Sequence, residues 1–349
     1  MNDELLINRC LQLAKLSEGL VSPNPMVGAV LVNDNKIISE GYHKAYGLPH
    51  AEYNAINNVK DKALLKGSIL YVNLEPCCHY GKTPPCTDLI LKSGIKKVVI
   101  CNTDPNPKVA GTGIRILKEA GVDVVVGVFK EKGLELNKRF FTFHNKKRPY
   151  IILKWAQTLD GFMDIERRAS KVEKYWITND VLRVWAHKQR AENDCILVGK
   201  TTIINDNPQL NVRYFKGNNP IRIAIDKDLT IPKDRFFFDG QQKTIIFNSK
   251  YDLIDGNTTF VKLNFETQVL EQIIHYIYSI NKNSLIVEGG LYTLESFINS
   301  NLWDEANVLV GDKCFKNGLP SPKHLLNDKE VTKTYYDSNW IEQYANSYV

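Results

Sequence analysis

The sequence predicts an α/β protein built from two domains in succession. Three observations carry this. At 349 residues the chain is too long for one ordinary core, and length alone suggests about two domains. A β-rich opening passes into alternating helical and strand patterns, the signature of a sheet covered by helices. A short polar stretch closed by proline, Asn145-Lys146-Lys147-Arg148-Pro149, interrupts that alternation, and a second α/β pattern follows. The expected domains are 1–145 and 146–349.

Taken in order, residues 5–17 carry Leu and Ile at helical spacing. Ser22-Pro23-Asn24-Pro25 ends that helix, because proline rings fix φ and push the preceding residues toward extended backbone. An apolar strand over 27–32, a turn over 33–36 and a returning strand over 37–41 come next. The pattern then predicts a helix over 50–58, a strand over 68–74, a helix over 87–93 and a strand over 97–102. A helix over 113–120, a strand over 122–128 and one helix over 130–143 complete the first domain. In the second, strands are expected over 150–155, 195–199, 221–225, 244–247 and 284–287. Helices are expected there over 179–190 and 269–279. No internal repeat or low-complexity tract breaks the pattern.

Composition narrows the function classes. The 43% hydrophobic and 24% charged content is that of a soluble globular protein. A net charge of +6 suits anionic small molecules but lacks the dense Lys/Arg runs of a nucleic-acid-binding tail. No apolar run approaches the roughly 20 residues needed to span a bilayer. Neither nucleic acid nor membrane is therefore an expected partner. The acidic start, Met1-Asn2-Asp3-Glu4, leads into an amphipathic helix and not into a secretory signal. Seven cysteines make an odd count without a disulfide framework. Reduced thiols in a cytoplasmic protein are the expected state, with metal ligation the first reading of a clustered subset. A homo-oligomer is expected, although the sequence itself gives no stoichiometry.

The chemistry-bearing cluster is His50-Ala51-Glu52, then Pro76-Cys77, then Cys86. One imidazole and two thiolates can hold a zinc ion and leave one tetrahedral position for water. His50, Cys77 and Cys86 are the expected ligands of one zinc ion per chain. Glu52, two residues from the histidine, is placed to move protons between that water and a leaving amine. Zinc base deaminases carry the related pattern His-x-Glu followed by Pro-Cys-x-x-Cys. Here eight residues, not two, separate the cysteines. Cys78 is the neighbour that competes for the ligand role; the residue directly after the proline fits the pattern better. A structural zinc would need a fourth ligand, which Cys78, His79 or Cys101 could supply.

The run Leu74-Glu75-Pro76-Cys77-Cys78-His79-Tyr80-Gly81-Lys82-Thr83-Pro84-Pro85-Cys86 closely resembles the signature of the bifunctional riboflavin-biosynthesis deaminase–reductase family. Ser22-Pro23-Asn24-Pro25-x-Val27-Gly28 and Asp104-Pro105-Asn106-Pro107 resemble two further motifs of that family. The resemblance implies a cytidine-deaminase-like three-layer sandwich followed by a dihydrofolate-reductase-like domain. It implies a phosphorylated pyrimidine substrate, a 2,5-diaminopyrimidinone carrying a ribosylamino 5-phosphate. Its substrate contacts map onto Asn24, His43, His79, Lys82, Asp104 and Asn106. These amide, carboxylate, imidazole and ammonium groups suit a pyrimidine edge, a ribose and a phosphate.

In the second half, Lys154-Trp155-Ala156-Gln157-Thr158-Leu159-Asp160-Gly161 resembles the opening of the family's reductase domain. Trp176-Ile177-Thr178, Arg190-Ala191-Glu192 and Val287-Glu288-Gly289-Gly290 resemble later blocks. The implied cofactor is NADPH, and the implied step is hydride transfer to C1′ of the ring-opened ribosylamino group. By resemblance Ala156, Trp176, Thr202, Asp206 and Gly290 contact NADPH, while Arg190, Leu210, Arg213 and Glu288 contact substrate. A glycine pair after a buried strand lets backbone approach a pyrophosphate. Lys154, a lysine inside an apolar strand, is either a proton donor or snorkels to the surface. The charged segment 166–174 departs from the family pattern, and Lys174 takes the place of a usual polar substrate contact. The stretch 304–323 matches weakly. Two other readings stand beside this one: a tRNA-type base deaminase, and a zinc-stabilised binding module without catalysis.

Overall fold

Asn2 accepts the Glu4 backbone N–H at 2.8 Å and starts α1 (Asp3–Lys15), whose acidic first turn suits the positive end of the helix dipole. The computed structural model describes residues 2–80, 84–165 and 175–346. Contacts divide the chain into two units, 1–147 and 148–349.

In the first unit five strands form one sheet: β1 (Gly28–Asn33), β2 (Lys36–Tyr42), β3 (Ile69–Leu74), β4 (Lys97–Asn102) and β5 (Asp123–Val126). Their order is β2-β1-β3-β4-β5, antiparallel around β1 and parallel from β3 to β5. The other helices are α2 (Ala51–Asn57), α3 (Cys86–Lys92), α4 (Thr112–Glu119), α5 (Lys130–Leu136) and α6 (Lys138–Lys146). Side chains alternate across each strand. Ala29, Leu31, Leu70, Val72, Val98 and Ile100 therefore face α2, α3 and α4. Val30, Val32, Tyr71, Val99 and Cys101 face α1 and α5. The result is the expected three layers. Gly28 and Gly41 permit the closest approach: a Cβ at either would strike the backbone of α1 or α2.

The single helix expected over 130–143 is two helices. Asn137 breaks it, because its buried amide serves another part of the chain. Its Oδ1 accepts the Met26 N–H and its Nδ2 donates to the Met26 carbonyl, both at 2.9 Å.

The second unit is built on a ten-stranded sheet. Its elements run β6 (Tyr150–Gln157), β7 (Phe162–Asp164), α7 (Asp180–Glu192), β8 (Cys195–Gly199) and α8 (Lys200–Asp206). Then come β9 (Ile221–Ile225), β10 (Thr244–Asn248), β11 (Leu253–Asp255), β12 (Thr258–Lys262), α9 (Val269–Ser279) and β13 (Ser284–Val287). Last are α10 (Leu291–Asn299), β14 (Glu305–Val310), β15 (Leu319–Pro320), β16 (Val331–Tyr336) and β17 (Asn339–Ala345). The large sheet has the order β11-β12-β10-β9-β8-β13-β6-β14-β17-β16, while β15 pairs with β7. From β12 through β14 every neighbouring pair is parallel. Both faces are covered, as the long apolar runs of these strands require. Arg148 grips Asp304 with two bonds of 2.6 and 2.7 Å, and Asp304 also accepts the Ile151 N–H at 2.8 Å. The weakly matching stretch after 304 thus supplies β14, an interior strand beside β6. No helix among the described residues is long and apolar enough to cross a membrane.

Candidate active sites

His50 stands at the N-cap of α2, Cys77 lies just past β3, and Cys86 opens α3. These three elements bring their ligand atoms together. His50 Nδ1 lies 3.4 Å from Cys77 Sγ and 3.5 Å from Cys86 Sγ, and the three atoms fall within 4.8 Å of one another. Zinc bonds of about 2.0 Å to nitrogen and 2.3 Å to sulfur, at a tetrahedral angle, put N and S about 3.5 Å apart. The donor set and its spacing fit that ion. Among the described residues no other group joins this cluster. Cys78 Sγ instead lies 3.7 Å from the Lys108 carbonyl, His79 is exposed, and Cys101 packs in the α1-facing layer.

The start of α3 also holds Cys77. Its sulfur accepts the Cys86 N–H at 3.4 Å and its carbonyl accepts the Thr87 N–H at 3.2 Å. The Cys86 thiol hydrogen-bonds the Cys77 sulfur and, against the cost of burial, helps hold the Cys77 thiol down at about 4; His50 adds to the effect. Cys86 is pushed well up by the same bond. Glu52 is 3% exposed on the first turn of α2. Burial, then the nearby Cys77 charge, raises its carboxyl to about 7.

Expected substrate contacts adjoin this centre in two pairs, His43 with Asn24 and Asp104 with Asn106. The His43 ring stands edge-on to His50, centroids 5.4 Å apart. His43 Nδ1 lies 3.2 Å from the Pro49 carbonyl, which can only accept, so Nδ1 carries the proton. Nε2 then accepts from Asn24 Nδ2 at 3.1 Å. Asp104 is buried, and its carboxyl is raised to about 7 by burial, with Glu75 and Cys77 adding. It accepts the Asn106 N–H at 2.7 Å. Lys82 and Lys174 lie outside the described residues.

Sequence reasoning missed the groups that hold these in place. Glu75, buried one residue before Pro76-Cys77, accepts three backbone N–H groups: Asp104 at 3.1 Å, Gly111 at 2.9 Å and Ile114 at 3.1 Å. It ties the cysteine loop to Asp104 and to the start of α4. Asn73 accepts the Gly28 N–H at 2.7 Å and donates to the Met26 carbonyl at 3.0 Å. With Asn137 it anchors the loop that presents Asn24. The available signal was a polar residue inside or beside an apolar strand.

In the second unit Lys154, Glu288 and Arg190 come together from β6, the end of β13 and α7. Arg190 holds Glu288 bidentately at 2.9 and 2.7 Å, and Lys154 Nζ lies 3.7 Å from the same carboxylate. Lys154, its side chain 12% exposed, is largely buried and paired; it does not snorkel. Burial lowers its pKa, with Glu288 opposing and Arg190 adding. Burial works against the Glu288 carboxylate, yet Arg190 and Lys154 hold it down at about 2.

Beside this cluster, Arg213 is exposed and its Nη1 donates to Gln209 Oε1 at 2.7 Å and Asn211 Oδ1 at 2.5 Å. Leu210 is buried with a left-handed φ of 51°. The Gly289-Gly290 turn lies against the β8–α8 turn: Gly199 N–H donates to the Gly289 carbonyl at 3.2 Å. A Cβ on Gly290 would sit 3.2 Å from Thr202 Oγ1, whereas one on Gly289, at φ +125°, would point into open space. Ala156 on β6, Trp176 before α7 and Asp206 at the end of α8 stand on separate elements. Trp176 is half exposed, with the Arg183 guanidinium 5.3 Å from its ring centroid.

A metal-ready His/Cys/Cys cluster beside a buried carboxylate, joined in one chain to a parallel sheet with a glycine turn at its strand ends, defines a two-domain deaminase–reductase. The comparisons agree. The model of the cytidine and deoxycytidylate deaminase zinc-binding region matches residues 1–102, and that of the RibD C-terminal domain matches 149–320. The riboflavin biosynthesis protein RibD of Aquifex aeolicus is 41% identical over 91% of this chain and 89% of its own length. That of Escherichia coli is 39% identical over 90% and 88%. A crystal structure from Thermotoga maritima, titled a diaminohydroxyphosphoribosylaminopyrimidine deaminase/5-amino-6-(5-phosphoribosylamino)uracil reductase, is 36% identical. It covers 98% of both chains with a TM-score of 0.88. The chain belongs to the RibD family, the bifunctional deaminase–reductases of riboflavin biosynthesis. A reductase half has no place in a tRNA-type base deaminase, and that reading is set aside.

Proposed function

We propose that the first unit deaminates a 2,5-diaminopyrimidinone bearing a ribosylamino 5-phosphate, and that the second reduces the ribosyl group to ribityl with NADPH. The deaminase is assigned to about 1–145 and the reductase to the remainder. One observation carries the first step: His50 Nδ1, Cys77 Sγ and Cys86 Sγ converge at tetrahedral spacing beside buried Glu52.

His50, Cys77 and Cys86 would hold zinc, which as a Lewis acid brings the pKa of a water toward neutrality. Glu52, buried two residues from His50, takes a proton at its carboxylate and hands it to the departing ammonia. Water enters at C2 as the amine leaves, so the ring gains a carbonyl and no redox change occurs. Asn24, kept in place by His43, faces the pyrimidine; Asp104 and Asn106 read the ribose; His79 and Lys82 take the phosphate.

In the second unit, NADPH supplies the hydride. The Gly289-Gly290 turn, Thr202 and the start of α10 suit its pyrophosphate, because backbone N–H groups at a helix start attract phosphate. Ala156, Trp176 and Asp206 complete its contacts. C1′ of the opened ribosylamino group receives the hydride, and the proton comes from Lys154 Nζ, whose pKa burial has lowered. Glu288 keeps Lys154 in place. Arg190 is committed to Glu288, so Arg213 offers the phosphate its guanidinium, with Leu210 shaping the loop beneath it.

The test is ammonia release from the diaminopyrimidinone, followed by loss of NADPH absorbance at 340 nm. Ammonia release should require zinc, and NADPH loss should require prior deamination. NADPH oxidation with the undeaminated compound at equal rate would contradict this order.

A further inference from the structure

Arg183, His187 and Arg190 lie one and two turns apart on α7 and so share a face. That face meets the 209–214 loop repeatedly. Arg190 Nη1 donates to the Asn211 carbonyl at 3.4 Å. His187 Nδ1 accepts the Arg213 backbone N–H at 3.0 Å. The Tyr214 ring lies edge-on to His187 at 4.8 Å and under the Arg183 guanidinium at 4.7 Å.

The imidazole is 2% exposed and had no role in the sequence reading. A backbone N–H only donates, so Nδ1 must keep its lone pair and the ring proton sits on Nε2. We propose that His187 is a positioning residue for phosphate recognition in the reductase: by holding the Arg213 backbone, it aims the exposed Arg213 guanidinium at the substrate phosphate. This rests on the assignment of that phosphate to Arg213 made above.

The surroundings keep the ring neutral. Burial, then Arg190 on its own helix and Arg213 on the loop, bring the His187 pKa down to about 4. Lys154 on β6 adds to this and Glu288 after β13 opposes it. The Arg213 side chain is fixed in turn by Gln209 and Asn211 of the same loop. Backbone and guanidinium are thereby held as one body, with His187 as the fastening to α7.

Two substitutions in the full chain separate positioning from simple packing. His187→Phe keeps a ring against Tyr214 but loses the acceptor; His187→Asn offers Oδ1 near the place of Nδ1. Reduction is measured with the deaminated phosphorylated substrate and with its dephosphorylated analogue. For His187→Phe, KM should rise about tenfold with the phosphorylated substrate, the scale of one lost hydrogen bond to a fixed loop. Its kcat, and KM for the analogue, should change little. His187→Asn should recover most of the loss, and ammonia release should be unchanged in both. Equal KM changes for the two substrates, or no recovery by Asn, would overturn the proposal. Should His187→Phe fail to fold, the wild-type protein labelled with ¹⁵N-histidine decides: at neutral pH His187 should be the Nε2–H tautomer, and Nδ1–H would refute it. Wild-type protein that cannot reduce the phosphorylated substrate at all would count against the assigned reaction, while the tautomer measurement still decides the loop contact.

Discussion

The two sites handle charge in opposite ways. In the first unit two sulfurs, an imidazole and a buried carboxylate gather, among the described residues, with no lysine or arginine acting on them, an arrangement suited to an incoming cation. In the second, the Glu288 carboxylate already has two cations, Lys154 and Arg190, and the cluster carries one surplus positive charge. That surplus suits a phosphorylated substrate and a phosphate-bearing cofactor. The deaminase cluster suits a charge supplied from outside the chain; the reductase cluster already pairs its carboxylate within the protein and keeps one cation over.

The difference can be broken from either side. On the deaminase side the effects are largest. Cys86→Ser should lose zinc, seen by metal analysis, and with it ammonia release. Glu52→Gln should slow ammonia release about 10²–10⁴-fold while keeping zinc, since it removes a proton carrier and no ligand. Loss of zinc in that variant would reassign Glu52.

On the reductase side the comparable change is felt first in stability. Glu288→Gln leaves Lys154 and Arg190, both largely buried, without their counter-charge. Breaking such a pair from one side costs about 3–5 kcal/mol, readable by denaturant unfolding of the full chain. The pH dependence has a definite sign. Glu288 is held at about 2 when folded, below its ordinary value of about 4.3. Its contribution is therefore complete above that ordinary value and is lost as pH falls from about 4.3 toward 2. Glu342, likewise held at about 2 despite burial, by Lys323, Trp340 and Lys333, adds to the same acid loss. A Glu288→Gln variant should show a shallower fall in stability across that window. The smallest effect belongs to the exposed Arg115–Glu119 pair on α4, where Arg115→Ala should shift stability by less than about 0.5 kcal/mol.

The same contrast explains what the sequence could show. The proposed zinc ligands fall within residues 50–86, on neighbouring elements, and each residue type announces its chemistry. The glycine pair and the arginines of the reductase were visible as motifs. His187, Glu75, Asn73 and Asn137 were not, because each acts by bonding a backbone group far along the chain: a polar residue in an apolar stretch can mark the position but not its partner. Asn137 also split a helix that periodicity alone joined. The interior strand β14 was hidden for another reason: a short apolar run between turns fits a buried strand or a helix equally well, and its place beside β6 is set by tertiary pairing. The Arg148–Asp304 clamp that starts β6 joins residues 156 positions apart.

The most direct measurement is zinc content taken together with ammonia release before and after chelation. The account predicts one zinc per chain, release that stops when zinc is removed, and recovery when zinc is restored. Metal-free protein releasing ammonia at the full rate would contradict it.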